Sequence, residues 1–313
     1  MDRLRCDICG GSLVMQESGE SVICESCGMK YSSARMREKV QEIRGVVSVE
    51  GVVKTQGADF EIHTGVLTAY HGENTDVIIP GNVIEIGVGA FEGSKYLRSV
   101  AVPHGTRIIG PNAFANCVSL KEIIFSDTLE FIEKNAFMGC KSLLHVKLPN
   151  QIANIGEGAF AGCSKLLTAE LPSMCKKLEN CVFEGCTDLE RVELNPSLSS
   201  IGNYAFSNCS ALSIISFPDS LISIGSYAFK NCRRLETIQL PQHIKRISEG
   251  AFSGCRRLAS INIPESTIEI GTGAFDECAE LKIRIAERTL ERLDRYLWNV
   301  DRSFFEFASL PEE

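Results

Sequence analysis

The stretch Leu148–Leu171 reads LPNQIANIGEGAFAGCSKLLTAEL, and it decides the fold because its pattern returns along most of the chain. The Ala-Phe pair inside it recurs every 23 residues, and Val182 is the one substitution for the alanine. A period held without insertion or deletion is typical of a solenoid, in which each repeat buries its apolar side chains against its neighbours. The periodic phenylalanines are Phe91, Phe114, Phe137, Phe160, Phe183, Phe206, Phe229, Phe252 and Phe275.

Each repeat also carries a strand signal. Apolar residues follow the phenylalanine in a fixed order, as in Leu189, Val192 and Leu194. This alternation predicts half-buried strands that stack into one parallel sheet. Proline closes most of these strands, as at Pro172, because it has no N–H to donate. A second apolar position, such as Ile155, precedes the Ala-Phe pair, which we assign to a short helical turn.

The position two residues after each phenylalanine favours a helix end. Glycine or asparagine stands there in every repeat except the last, which has Glu277. These two residues adopt the left-handed conformation most readily, and helices commonly end on it. The sequence therefore predicts a helix C-cap at this position in every repeat but the last.

Eight cysteines follow that position in phase, and their parallel stacking argues against disulfides. Side chains on neighbouring rungs lie about 5 Å apart, whereas a relaxed disulfide needs a Cβ separation of about 3.8 Å. A metal-binding row is the other alternative, but we expect buried free thiols that act as small hydrophobic side chains. Cys175 replaces an apolar core residue, and Cys181 is expected to be the most accessible thiol of the array. The periodic set is Cys117, Cys140, Cys163, Cys186, Cys209, Cys232, Cys255 and Cys278.

The repeat LPNQIANIGEGAFAGCSKLLTAEL resembles the BspA-like leucine-rich repeats, also called the Treponema pallidum type, over residues 58–285. The segment Phe60–Tyr70 resembles the hairpin that begins such arrays. The resemblance implies an α/β repeat solenoid, a leucine-rich-repeat superhelix with a parallel β-sheet and short helical turns. It also implies a recognition scaffold, and some exported members of the family are adhesins for host matrix proteins.

A zinc ribbon is predicted at the N-terminus, over residues 1–31. Two CxxCG motifs are separated by a stretch that reads as a hairpin with its turn near Ser18-Gly19-Glu20. The two-residue spacing lets one tight turn present both thiolates to a tetrahedral ion, and four thiolates close the coordination shell. We therefore expect one structural Zn²⁺ per chain, with free or redox-active cysteines as the alternative. Its ligands are Cys6, Cys9, Cys24 and Cys27.

Two further segments complete the predicted organisation. Residues 32–57 read as a short helix and linker, and residues 286–313 as a C-terminal capping helix and tail. The stripe of apolar residues in the second segment recurs at helical steps of three and four. A solenoid needs a cap over its last exposed core, although a partner-binding or dimerising helix is the alternative. The stripe is Leu290, Leu293, Leu297, Val300, Phe304 and Phe307.

Composition and charge narrow the function. The formal net charge is −8, which disfavours broad phosphate neutralisation and makes nucleic acid an unlikely partner. No export signal or long apolar window is evident, so a cytoplasmic protein without a membrane segment is expected. The five histidines show no ligand or triad spacing, and Gly87–Gly93 recurs in later repeats as a repeat signature rather than a dinucleotide loop. We therefore expect no enzyme.

The predicted function is a non-catalytic protein-interaction scaffold that binds its partner through the solenoid, with the ribbon as a metal-stabilised head. The alternatives are a nucleic-acid-associated regulator that acts through the ribbon and an adhesin-like surface binder. Strand alternation places candidate contact residues on the concave sheet face, including Glu122, His145, Lys147, Glu170, Arg191 and Glu193. A second candidate is a basic patch of two pairs one period apart, Arg233, Arg234, Arg256 and Arg257. We expect Glu236 and Glu249 to relieve part of its charge.

Removal of metal tests the two-module organisation. A ribbon of this size has too small a core to fold alone, so its folding energy should come from the metal. Chelation should release about one zinc per chain and unfold residues 1–31, while the thermal transition of the repeats stays almost unchanged. Zinc release by absorbance and unfolding by calorimetry measure the two effects. A large shift of the main transition would show instead that ribbon and repeats form one cooperative unit.

Overall fold

The computed structural model describes residues 59–293 in full and the backbone of four shorter segments, 13–15, 21–24, 30–32 and 305–307. The first three of these form an antiparallel sheet in the order β1-β2-β3. Leu13 lies opposite Cys24, so the expected hairpin between the two cysteine motifs is present. Residues 33–58 lie outside the described part, and with them the predicted helix and linker. The three strands are β1 Leu13–Met15, β2 Ser21–Cys24 and β3 Lys30–Ser32.

The repeats begin on a β-hairpin, as the resemblance implied. Strands β4 (Phe60–His63) and β5 (Val66–Tyr70) pair antiparallel. Thr64 and Gly65 join them with φ angles of 49° and 84°, which suits a tight hairpin turn. Strand β5 then pairs parallel with the strand Glu85–Ile86, so the hairpin starts the stack.

Each of the nine repeats contributes a strand to each of two parallel sheets. We call the first the front sheet. Its strands are β6 Asp76–Ile78, β8 Ser99–Ala101, β10 Glu122–Ile124, β12 His145–Lys147, β14 Thr168–Glu170, β16 Arg191–Glu193, β18 Ile214–Ile215, β20 Thr237–Ile238, β22 Ser260–Ile263, β24 Lys282–Ile285 and β25 Phe305–Phe307. They are hydrogen-bonded in three groups, β6 to β10, β12 to β18 and β20 to β25.

The second sheet, which we call the side sheet, was not predicted from the sequence. Its two-residue strands include the second apolar position of each repeat, which stands before the Ala-Phe pair. They are β7 Glu85–Ile86, β9 Ile108–Ile109, β11 Phe131–Ile132, β13 Asn154–Ile155, β15 Lys177–Leu178, β17 Ser200–Ile201, β19 Ser223–Ile224, β21 Arg246–Ile247 and β23 Glu269–Ile270.

The segments that carry the Ala-Phe pairs are successive turns, so the predicted short helical turns are wrong. Within one coil the amides alternate between two kinds of acceptor. Those of Gly158, Phe160 and Gly162 donate to carbonyls of the next coil at 2.6–2.9 Å. Those of Ala159, Ala161 and Cys163 donate three residues back within their own coil at 2.9–3.2 Å. An α-helix would use all these amides within one segment, which would leave the next coil without its donors.

Two left-handed positions per coil make this alternation possible. The first was predicted, and it includes Glu277 with φ 59°, so the last repeat is not the exception that its sequence suggested. It ends a turn rather than a helix. The second lies two residues before each phenylalanine and was missed. Its members are Gly89, Asn112, Asn135, Gly158, Cys181, Tyr204, Tyr227, Gly250 and Gly273, with φ between 54° and 65°.

The core is a column of stacked phenylalanine rings with aliphatic side chains around it. Neighbouring rings from Phe91 to Phe275 lie 4.7–5.9 Å apart, with interplanar angles of 3–15°. Tyr70 and Phe60 extend the column into the N-terminal hairpin. The rings from Phe91 to Phe252 are at most 1% exposed. Because each ring packs against the rings of adjacent coils, a coil is buried only by its neighbours.

The periodic cysteines are buried free thiols, as the sequence indicated. Each thiol donates to the carbonyl oxygen of the phenylalanine in the preceding coil, at 3.1–3.2 Å. Burial raises the pKa of the Cys163 thiol to about 12, which keeps it protonated as a donor. The thiols therefore cross-link coils by hydrogen bonds and need no disulfide.

The C-terminal end differs from the predicted single helix. The strand register shortens to 22 residues between β22 and β24, with Ser260 opposite Lys282. A helix covers Glu287–Leu293 and buries Leu290 and Leu293. Phe307 belongs to β25, which pairs parallel with β24, so the apolar stripe is not continued by one helix. No helix among the described residues has the length and apolar content to cross a membrane.

A cavity substitution tests the phenylalanine column. Phe183→Ala should lower the free energy of unfolding by roughly 3–5 kcal/mol, because Phe183 lies between the rings of Phe160 and Phe206 at 5.7 and 5.5 Å. Thr168→Ala on the exposed face of the neighbouring coil should cost no more than about 0.5 kcal/mol. Urea denaturation compares the two. Equal costs would mean that the column does not support the stack.

Candidate protein-binding surface

The front sheet presents two columns of outward side chains, because successive residues of a strand point to opposite faces. On β14 the central Ala169 is buried, whereas Thr168 and Glu170 are exposed, and β12 and β16 repeat this pattern. Glu122 is exposed at the equivalent position of β10. The predicted contact residues of β12 to β16 are therefore brought together. One column contains His145, Thr168 and Arg191, and the other contains Lys147, Glu170 and Glu193.

Contacts among these side chains are few and exposed. The Nδ1 atom of His145 lies 3.0 Å from Oγ1 of Thr168, and Arg191 forms an ion pair with Glu193 at 2.8 Å. An exposed pair of this kind contributes about 0–1 kcal/mol to stability. Within residues 59–293 no ion pair is described for Lys147 or Glu170. This surface can therefore exchange its own contacts for those of a partner at little cost.

An exposed isoleucine interrupts the polar column and was missed by the sequence reasoning. Ile214 follows Arg191 in the register of the front sheet and is 64% exposed. The next rung carries exposed Thr237. The available signal was its phase, since Ile214 stands where the neighbouring repeats have polar residues. A large apolar side chain within a polar rim is the usual form of a binding anchor.

A shallow groove of about 330 Å³ runs beside these columns. Leu167 and Glu190, which precede β14 and β16, are part of its lining. The small residues Ser210 and Ala211 stand between the larger side chains of Asp188 and Arg234, which creates the depression. The complete lining is Leu167, Thr187, Asp188, Glu190, Ser210, Ala211 and Arg234.

The predicted basic patch is exposed but partly neutralised. Arg257 lies 3.4 Å from Glu236, as expected, and Arg256 lies 3.7 Å from Glu277. Glu249 does not relieve the patch, because its carboxylate accepts a hydrogen bond from the hydroxyl of Tyr227. Arg233 and Arg234 have no ion pair described, and Arg234 lines the groove. Among the described residues, Arg233 and Arg234 are therefore the two arginines of the patch without an ion pair, and they lie at the edge of the front sheet.

The predicted zinc ligands fall outside what the structure describes in side-chain detail. Only the backbone of Cys24 is described, at the end of β2, while Cys6, Cys9 and Cys27 lie outside the described residues. Within residues 59–293 no group of histidine, cysteine or carboxylate side chains has the arrangement of a metal site.

Three exposed histidines pair with carboxylates at the surface. His63 and His71 both approach Glu61, at 3.1 and 3.4 Å. These contacts lower the pKa of the Glu61 carboxyl, with the His63 hydrogen bond as the largest cause. His104 lies 2.9 Å from Asp127. These pairs are exposed, and no nucleophile is described beside them in this part of the chain.

Comparison with known families finds a match over most of the array. The profile of the BspA type leucine rich repeat region matches residues 68–190 and 182–303, in six copies. Together the two ranges span well over half of the chain. No curated protein matches the chain significantly.

Several solved structures align with this chain. The leucine rich repeat protein of T. pallidum is 25% identical, with a TM-score of 0.37, and the alignment covers 82% of this chain and 99% of that one. A leucine-rich repeat protein from Bacteroides ovatus is 26% identical, with a TM-score of 0.35, and coverage is 75% and 84%. The pneumococcal vaccine antigen PcpA is 17% identical, with a TM-score of 0.45, and coverage is 96% and 99%.

Cys181 provides a test of the local electrostatics, because it alone among the ten cysteines of residues 59–293 is not fully buried. Partial burial, then its hydrogen bond to Glu184, raises the pKa of this thiol to about 12. The thiolate is the reactive form, so alkylation at pH 8 should be slow. Glu184→Gln should lower the pKa and speed alkylation, with about a tenfold gain for each pKa unit.

Mass spectrometry of the peptide that contains Cys181 measures this rate separately from other thiols. Glu179→Gln is the matched control, since Glu179 forms an ion pair with Lys177 at 2.9 Å and is not among the groups that shift Cys181. Equal rates for Glu184→Gln and the control would contradict the assignment.

Proposed function

Because this chain belongs to the BspA-type leucine-rich-repeat family, we propose that it is a non-catalytic scaffold that binds a protein partner through the front sheet. The nine repeats support this proposal because they can be compared position by position. Inward positions keep the same residue types from coil to coil, because the core requires them. The outward positions of the front sheet differ in charge and size on consecutive rungs. The fold does not require these differences, so the outward residues are available to recognise a partner.

The observation that carries the proposal is Ile214. It is 64% exposed, one rung from Arg191 in the same column. Exposed apolar side chains are common singly, but this one lies within a polar column of the parallel front sheet. Burial of such an anchor by a partner, with a polar rim around it, is the arrangement that dominates protein interfaces. We place the centre of the contact on Ile214 and its rim on Arg191 and Glu193.

The groove extends the proposed contact toward the basic patch. Leu167 immediately precedes the exposed Thr168, so the groove and the front columns form one continuous surface. Arg234 places a cation at the edge of the groove without a described counterion. A partner with an apolar residue for Ile214 and a carboxylate for Arg234 fits this surface, because arginine favours forked contacts with carboxylates.

We further propose that the four N-terminal cysteines hold a structural zinc ion. The β1–β2 register supports the fit, because Leu13 lies opposite Cys24 and the pairing is antiparallel. The start of β1 and the end of β2 therefore lie at the same end of the hairpin. Four thiolates would complete a tetrahedral shell and supply folding energy to this small sheet.

A pair of isoleucine substitutions tests the front-sheet proposal. A partner isolated with the full-length chain is titrated against Ile214→Ser and Ile222→Ser. Ile222 is also exposed, at 49%, but it precedes the side-sheet strand β19 and serves as the matched control. Ile214→Ser should weaken binding by about tenfold or more, which corresponds to roughly 1.4 kcal/mol of lost contact. Ile222→Ser should leave the affinity unchanged.

Thermal unfolding of both variants provides the folding control, since neither side chain belongs to the core. Undiminished affinity of Ile214→Ser would refute the front sheet as the contact. If Ile214→Ser binds normally and the double variant Arg234→Glu with Arg257→Glu does not, the contact belongs to the basic patch instead.

A further inference from the structure

The left-handed position two residues before the periodic phenylalanine carries a different residue type in three consecutive coils. In six coils this position is glycine or asparagine, but Cys181, Tyr204 and Tyr227 occupy it in coils that follow one another. Tyr204 and Tyr227 both have φ 56°. A bulky residue in this conformation is uncommon and costs about 1 kcal/mol or more. Since six coils form the same turn with glycine or asparagine, the fold does not require tyrosine here.

The two tyrosines form a stacked pair on the surface. Their ring centroids lie 5.2 Å apart, with an interplanar angle of 18°. The Nζ atom of Lys230 lies 5.3 Å from the centroid of Tyr227, so this ring already contacts a cation. A β-carbon on Gly250 would collide with the Tyr227 ring, and glycine there lets the ring lie against the next coil. One end of the pair is therefore covered.

The other end of the pair is Tyr204, which is 37% exposed. Among the described residues its one ring contact is with Tyr227. The preceding residue in this column is Cys181, whose short side chain covers little of a ring. The Cys181 amide donates to the carbonyl of Asn203 at 2.9 Å, which fixes the two coils beside each other. The free end of the pair thus faces the short side chain of Cys181.

The charge at this free end is negative. Glu184 contacts the Cys181 thiol, and no ion pair is described for it. The other carboxylate that acts on Cys181, that of Glu157, is paired with Lys134. An aromatic face beside an unpaired carboxylate attracts a cation, since the ring face and the carboxylate are both negative. It repels the phosphates of nucleic acid, which excludes a base-stacking platform on charge grounds.

We propose that Tyr204, Tyr227 and Glu184 form a second contact surface that takes an arginine side chain of a partner protein. The guanidinium stacks on Tyr204 and pairs with Glu184. Within the chain, Lys230 already contacts the Tyr227 ring. Arginine fits better than lysine, because its planar group stacks on a ring and keeps donors free for the carboxylate. This surface is separate from the front sheet and does not depend on the contact proposed there.

The test uses a short acetylated and amidated Gly-Arg-Gly-Arg-Gly peptide, titrated against the ¹⁵N-labelled full-length chain. The backbone amides of Cys181, Tyr204 and Tyr227 should shift saturably. A peptide with citrulline in place of arginine keeps the shape without the charge, and it should bind several-fold more weakly. A single-stranded oligothymidine should cause no shifts at these amides.

The coils themselves supply the matched variants. Tyr204→Asn introduces a residue that Asn112 and Asn135 show to be compatible with this turn, so the melting temperature should not fall. It should weaken peptide binding by roughly threefold to tenfold. Tyr204→Phe keeps the ring and should retain binding.

Equal binding by wild type and Tyr204→Asn, absence of saturable shifts at the three amides, or binding of oligothymidine there would each overturn the proposal. Ile214→Ser should bind the peptide normally, so this outcome is independent of the front-sheet contact. Loss of stability in Tyr204→Asn would show that the tyrosines serve the fold.

Discussion

The structure depends on how the turn amides divide their hydrogen bonds. Alternate amides, as in Phe160 and Ala161, donate to the next coil and to their own coil. This division joins neighbouring coils through the backbone, and it excludes an α-helix. It also requires two left-handed residues per turn, which hold Phe160 inward onto Phe183. With the turn fixed, the parallel strands follow in register, and their outward residues are free to vary.

Most of the core could be predicted from the sequence, because a strict period reveals which side chains stack. Phe183 and Cys186 were assigned correctly on phase alone. The helical turn was not predictable in this way, since glycine and asparagine signal a left-handed residue without showing what precedes it. The side sheet was missed because a strand such as Asn154–Ile155 has a single inward residue and no alternation to detect. The position of Phe307 fits a helical stripe and a strand equally well. Its pairing with Ile285 shows that it belongs to a strand.

The candidate contact surfaces were predicted in part. Strand alternation correctly placed Arg191 and Glu193 outward, because strand geometry fixes side-chain direction. The contacts of charged side chains could not be inferred from strand geometry. Glu249 was expected to neutralise part of the basic patch, but it contacts Tyr227. Ile214 and Tyr204 were overlooked although their phases were readable. In a repeat protein the exceptions within a column carry the functional information, since the common residue already satisfies the fold.

The central claim is that each central coil meets the same backbone and core requirements, so that function is left to the outward residues. Deletion of Pro149–Leu171 tests it directly, because it removes one 23-residue period, the offset between His145 and Thr168. The account predicts a shorter protein with a single cooperative thermal transition and an unchanged circular dichroism signal per residue. Deletion of Pro149–Ala159, about half a coil, should leave no cooperative transition. An unfolded product from the full-period deletion would contradict the account.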